Sequence, residues 1–237
     1  MLLPLHDTPN FSTRIPWVNY ALIAANVLVF VITRMFMGGD AGFETALREW
    51  GFTPATARIE TLFTSIFLHA GFMHLAGNML FLWIFGDNVE GRLGHVGYLA
   101  TYLGCGLAAT GLYYLLDMDG VLPCVGASGA IFGIAGFYFW AFPKNKVRIL
   151  IYAGFVFAPL IPARWVLGIY FALDLFMMVL RESQETGAAS GGTAYAAHVG
   201  GFLFGLLVSV IAMRLLPPLA GPRPKRGLRH LRTRGRD

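Results

Sequence analysis

Charge is what this 237-residue chain has least of. Only 13% of its residues are Asp, Glu, Lys or Arg, against about 25% in a soluble domain. With 56% hydrophobic residues and a mean hydropathy of +0.61, there is little polar side chain to cover a water-facing surface, and a polytopic membrane protein is implied. Two cysteines, Cys105 and Cys124, make no disulfide framework. No A-x-A-like cleavage site follows a short apolar stretch near the start, so the first apolar run reads as a retained anchor. No HExxH motif occurs, and the i, i+5 spacing of His69 and His74 suits one helix face poorly; a catalytic metal is not expected, and no motif calls for a cofactor. No internal repeat is visible, which argues against a transporter built from inverted halves. The net charge of +5 does not point to nucleic acid, because eight of the 18 Lys and Arg lie from Arg214 onward. A basic juxtamembrane tail marks a cytoplasmic side or touches anionic lipid.

What the chain does have is six apolar stretches, at about 17–37, 62–86, 96–116, 126–142, 163–180 and 194–216. Each approaches the roughly 17–25 residues that a spanning helix needs. The expected fold class is therefore all-α: a six-transmembrane-helix bundle over 17–216, after a short cytoplasmic segment 1–16 and before a basic cytoplasmic tail 217–237. Segment 147–162 is apolar but short, and it holds two prolines and a glycine. It reads as an interfacial or re-entrant loop. Six spans with both termini in the cytoplasm put 14 of the 18 basic residues inside, as the positive-inside rule favours, whereas a seventh span would export the basic tail. In a prokaryote this would be a multi-pass protein of the inner membrane.

In this topology three polar stations share a depth. Ser128 begins span four, His198 lies four residues into span six, and His74 with Asn78 lies in the outer half of span two. Ionisable groups inside a bilayer are costly and mark function by default. A serine becomes a strong nucleophile when a base takes its proton, and histidine is the usual base near neutral pH. Backbone N–H groups at a helix start are unpaired and suit a developing negative charge. His74 and Asn78, at i and i+4, share a face and could add donors. Gly126 and Gly129 leave room beside Ser128. Gly129 with Gly133, and Gly201 with Gly205, are GxxxG steps that permit close helix approach. His198, Gly201 and Gly205 lie on one face of span six.

Three blocks carry a resemblance: "HAGFMHLAGNMLFLWIFGDNVEGRLG" from His69, "GASGAIFGIAG" from Gly126 and "AHVGGFLFG" from Ala197. In that order they resemble the signature blocks of the rhomboid family of intramembrane serine proteases, and the likeness extends over about residues 17–215. It implies a six-helix core and a Ser–His dyad with no third catalytic residue. It makes Ser128 the nucleophile and His198 the general base, and it adds His74 and Asn78 to the Ser128 backbone in the oxyanion site. It also implies that His69 is structural and that Glu90 and Arg92 match a motif bracing the first outer loop in relatives, although the topology above puts both near the inner end of span two. Some relatives carry a tyrosine stacked on the histidine four residues after the serine; here Phe132 keeps the ring and lacks the hydroxyl.

The implied partners are transmembrane protein substrates in a lipid bilayer, cut within or beside their membrane segments. The alternative is a non-catalytic relative that binds membrane clients, although loss of Ser128 or His198 would be expected there. Asp174 lies inside span five without an obvious cationic partner. The favoured expectation is a buried residue bonded to a neighbouring helix or water, ahead of a functional carboxylate.

Overall fold

The computed structural model describes residues 2–8, 15–152, 156–182 and 194–217. In chain order the elements are strand β1 (Leu2–Thr8), helices α1 (Trp17–Phe36), α2 (Gly39–Trp50), α3 (Thr61–Thr64) and α4 (Phe72–Phe81), a π-helical turn (Leu82–Gly86), and helices α5 (Asp87–Leu116) and α6 (Ser128–Ala141). Strands β2 (Lys146–Tyr152), β3 (Val156–Phe157) and β4 (Leu160–Pro162) follow, and helices α7 (Ala163–Glu182) and α8 (Tyr195–Leu215) complete the fold. The basic tail, beyond Pro217, lies outside the described residues.

Among the described residues, four helical stretches are long and apolar enough to cross a membrane: Trp17–Phe36, Phe72–Leu116, Ala163–Leu180 and Tyr195–Leu215. Only 17% of the apolar window in α7, and 22% of that in α1, is buried against the protein. The remaining apolar faces, with Leu28, Ile169, Phe176 and Val179 among them, point outward and suit hydrocarbon rather than water. α6 is shorter and carries apolar residues all round. It sits at the centre, wrapped by α5 and α8, as such a helix must.

The second expected span departs from its sequence outline. The chain is extended at Leu68 and Gly71, and the helix begins only at Phe72. From there helical structure continues to Leu116, where two spans separated by a loop are expected. A straight helix of this length would run roughly 68 Å, more than twice the ~30 Å of hydrocarbon. Gly94 breaks it, with φ 71° and ψ 171°, a conformation suited to glycine. Beyond the break the chain turns back: the Tyr98 hydroxyl reaches the backbone at Gly86 and bonds Asn19 Oδ1 at 2.8 Å. Tyr98, Tyr102, Cys105 and Ala109, at spacings of four, three and four, form the buried stripe of the returning half.

The all-α expectation is corrected by a small sheet. β2 is its central strand, antiparallel to β1 on one side and to β3 and β4 on the other. Strands Lys146–Tyr152, Val156–Phe157 and Leu160–Pro162 thus stand where a loop is expected, and Leu2–Thr8, in the segment expected to be a short tail, supplies a partner. The reason lies in "KVRILIY", where Val147 and Ile149 are buried and Lys146 is exposed. Alternation with period two specifies a strand.

Two polar clusters tie this end of the molecule together. Glu90, 2% exposed, accepts from the backbone N–H of Val18 at 3.0 Å and of Asn19 at 2.7 Å, and contacts His95 Nδ1 at 2.5 Å. α1 opens on Pro16 with no side-chain cap of its own, so a distant carboxylate satisfies its first amides. Arg92 donates to the carbonyls of Pro217 at 2.6 Å and Leu216 at 3.3 Å. Glu90 and Arg92 therefore brace the start of α1 and the end of α8, and not an outer loop. In the second cluster, Asp7 on β1 accepts from Tyr138 Oη and from Asn88 Nδ2 at 2.7 Å, while Asn145 Nδ2 donates to Tyr138 Oη at 2.7 Å. Tyr138 lies ten residues after Ser128 in α6, about 15 Å along the axis. The N-terminal strand thus clasps the end of α6 farthest from the serine.

Burial raises the Asp7 carboxyl pKa above its ordinary value of 3.8, against the opposing pull of the hydrogen bonds from Tyr138, Asn145 and Asn88. A carboxyl raised in the folded state favours folding while protonated, and this contribution disappears as pH rises through the folded value. The wild-type protein should therefore lose stability relative to Asp7→Asn as pH rises from about 4 toward neutrality. Paired thermal melts across that range check this; parallel curves would contradict it.

Candidate active site

The approach to Ser128 is held by backbone bonding on both sides. Phe52 and Cys124 exchange two hydrogen bonds, at 3.0 and 2.7 Å, and the Gly126 N–H donates to the Ser65 carbonyl at 2.9 Å. Gly126 has φ 129°. A side chain there would stand 2.8 Å from His74 Cε1 and 3.5 Å from Ser128 Oγ. The missing side chain thus leaves open the space beside the serine hydroxyl and the His74 ring. Helix α6 then begins at Ser128, and the first of its internal bonds runs from Ile131 N–H to the Ala127 carbonyl at 2.9 Å. The amides of Ser128, Gly129 and Ala130 precede that bond and have no intrahelical acceptor.

α8 meets α6 along the glycines. A Cβ on Gly201 would lie 1.9 Å from the Gly129 carbonyl oxygen, and one on Gly205 would lie 1.8 Å from that of Gly133. Backbone touches backbone here, which is the contact a small-xxx-small seam permits. His198 stands one turn before Gly201 on α8 and stacks on Phe132, with ring centroids 4.1 Å apart and planes 9° from parallel. Phe132 is four residues after Ser128, so both occupy one face of α6. His198 is thereby held against the serine-bearing face, and the stacking expected of Phe132 is observed.

One ring edge of His198 has a partner of its own. Its Nδ1 is 2.8 Å from Asp174 Oδ2 on α7, with 9% and 15% of the two side chains exposed. The sequence suggests that Asp174 is bonded to a neighbouring helix, and it is; that the neighbour is His198 escapes sequence reasoning. The two residues are 24 positions apart, and no periodicity links α7 to α8.

α4 supplies the remaining polar groups. His74 is half-buried, and its ring meets that of His69 edge-on at 5.2 Å between centroids. Asn78, one turn on, is buried, and its Nδ2 has no acceptor among the described residues. An amide donor left unpaired in the interior costs free energy, and such a group is suited to a negative charge that arrives only during a reaction. His69 is fully buried in the extended stretch before α4, with neither ring nitrogen partnered among the described residues. Among those residues no group of three or more His, Cys, Asp or Glu could hold a metal ion.

A lone hydroxyl at a glycine-lined helix start, a histidine stacked on the same helix face and a buried amide on α4 with no acceptor among the described residues coincide with a family match. The Rhomboid domain profile matches residues 56–215. The chain belongs to the rhomboid family. It is 29% identical to Rhomboid protein 1, mitochondrial, of Saccharomyces cerevisiae over 83% of this chain and 54% of that protein. To the human Presenilin-associated rhomboid-like protein, mitochondrial, it is 29% identical over 78% of this chain and 45% of the relative. Rhomboid protease GluP of Bacillus subtilis is 32% identical over 59% of this chain and 27% of its own length. The chain thus spans about half the length of the mitochondrial relatives, and less of the bacterial protease.

The seam in this rhomboid leaves no room for a methyl group. Gly201→Ala should lower the thermal midpoint, with a cost of about 1–3 kcal/mol for overpacking, and Gly201→Val should cost more. Melts of the purified variants check this. A Gly201→Val protein as stable as wild type would show that the helices do not approach as described.

Proposed function

We propose that this rhomboid is an intramembrane serine endopeptidase that cleaves peptide bonds within or next to transmembrane segments of other membrane proteins. The observation that carries the reading is the stacking of His198 on Phe132, one helical turn from Ser128 on the same face of α6. The working topology is six crossings, with Phe72–Leu116 counted twice because of the break at Gly94. Both termini face the cytoplasm, in keeping with the basic residues of the inner loops and tail. The lipid bilayer is the protein's solvent, and transmembrane proteins are its substrates.

In this mechanism Ser128 Oγ attacks the scissile carbonyl carbon while its proton passes to His198 Nε2. The resulting oxyanion lies at the start of α6, where backbone amides lack intrahelical acceptors, and Asn78 Nδ2 and the His74 ring supply further donors. Collapse of the tetrahedral intermediate breaks the C–N bond, and His198 returns the proton to the leaving amine. Water, deprotonated by His198, then attacks the Ser128 ester and releases the second product. Removing the base disables both halves of the cycle, whereas removing one oxyanion donor weakens only part of the charge stabilisation.

The test uses purified protein and a single-span model substrate. Wild type should cleave the substrate and label with a small fluorophosphonate. Ser128→Ala should do neither while keeping its thermal midpoint, and His198→Ala should fall near the Ser128→Ala background. Asn78→Leu should retain measurable turnover, lower by up to ~10²–10³-fold, with a thermal midpoint equal to or above wild type because an unpaired buried donor has gone. Cleavage by Ser128→Ala would exclude the proposed nucleophile, and a non-catalytic client-binding protein would show no cleavage in any form.

A further inference from the structure

The resemblance implies a dyad, but the histidine in this chain has a carboxylate behind it. The inference that follows rests on the reading of His198 as the base. Three contacts fix the imidazole: Phe132 covers one face at 4.1 Å, the α6–α8 glycine seam sets the height of α8, and Asp174 Oδ2 lies 2.8 Å from Nδ1. A carboxylate oxygen accepts hydrogen bonds, so the 2.8 Å contact calls for a proton on Nδ1. A neutral imidazole carries one ring proton. With Nδ1 protonated, Nε2 keeps its lone pair, and Nε2 lies on the ring edge turned away from α7. As Nε2 accepts the serine proton, the ring becomes a cation beside a carboxylate that is only 15% exposed. Without that carboxylate, a positive charge would develop in a largely apolar interior.

We infer that Asp174 is a positioning residue for His198: it holds the tautomer with a free Nε2 and stabilises the imidazolium formed when Ser128 is deprotonated, so that a Ser–His–Asp relay operates across α6, α8 and α7. Asp174 touches neither substrate nor the reacting atoms and acts through the imidazole. The proton moves from Ser128 Oγ to His198 Nε2; the Nδ1 proton stays on nitrogen, and Asp174 gains none. α7 contributes to the site in this way although most of its apolar surface faces outward.

The experiment compares wild type, Asp174→Asn, Asp174→Ala and Asp174→Glu for kcat, KM, thermal midpoint and ring ¹⁵N spectra of histidine-labelled protein, with the His198 signals identified by their loss in His198→Ala. Wild type should show His198 protonated at Nδ1 and bare at Nε2, and Asp174→Ala should move toward the Nε2–H form. In Asp174→Asn and Asp174→Ala, kcat should fall at least about tenfold and as much as ~10⁴-fold, with KM changed far less. Asp174→Glu should recover part of the kcat. A merely structural aspartate would lower the thermal midpoint without changing the tautomer. The inference is overturned if Asp174→Asn and Asp174→Ala turn over within twofold of wild type, or if wild-type His198 carries its proton on Nε2. Should both variants fail to fold, the wild-type tautomer alone decides. Ser128→Ala and His198→Ala run alongside as inactive references. If they are inactive while the Asp174 variants are fully active, only the role of Asp174 fails; if Ser128→Ala cleaves, the underlying reading fails.

Discussion

Everything at the candidate site depends on how closely α6 and α8 approach. The carbonyl oxygens of Gly129 and Gly133 stand where side chains on Gly201 and Gly205 would otherwise be, while a side chain on Gly129 or Gly133 would run into Ala109 or Cys105 of α5. In hydrocarbon, apolar side chains gain little by meeting one another, so close packing and well-placed polar contacts carry the association. The same spacing sets the chemistry. With α8 against the backbone of α6, a histidine one turn above the seam reaches a ring one turn below the serine. A side chain in the seam would move His198 and Ser128 apart, and between the proposed base and nucleophile a misplacement of about 1 Å can cost ~10²-fold in rate.

The two ends of α6 are built differently. At the serine end, the first amides of the helix have no intrahelical acceptor, and Asn78 Nδ2 has no partner among the described residues. At the far end, polar groups are bonded to one another. Tyr138 and Asn145 engage Asp7 of the N-terminal strand, Glu90 caps α1, and Arg92 closes on the end of α8. Unsatisfied donors lower stability, and a helix fixed at one end can hold them ready at the other. This is the division expected when binding strength is reserved for a transition state.

Much of this was legible in the chain itself. Composition gave the membrane class, and the glycine blocks pointed to the seam and to the residues that flank it. Phe132 is legible as a stacking ring only through the resemblance, at the position four residues after Ser128 where some relatives carry a tyrosine. The sheet is hidden by the high apolar total of segment 147–162, and only the alternation within "KVRILIY" points to a strand. Its partner strand lies more than a hundred residues upstream, beyond any local signal. The true start of α4 was hidden because residues 62–71 are nearly as apolar as a helix, although the backbone at Leu68 and Gly71 is extended. The topology places Glu90 near the inner end of span two, but what it binds there is not legible. Its partners, the amides of Val18 and Asn19, are backbone groups that leave no trace in the side-chain pattern. Asp174 escaped for a related reason, since its partner sits on another helix.

The central claim is that Ser128, His198 and Asn78 converge on one reacting carbonyl. The most direct test is an experimental structure of the wild-type protein inactivated by a fluorophosphonate, in which phosphorus stands in for the tetrahedral carbon. The account predicts phosphorus bonded to Ser128 Oγ, its anionic oxygen within hydrogen-bond distance of Asn78 Nδ2 and the first amides of α6, and His198 Nε2 beside Ser128 Oγ with Nδ1 still on Asp174. An adduct on another residue, or a Ser128 adduct with His198 out of hydrogen-bond reach, would contradict it.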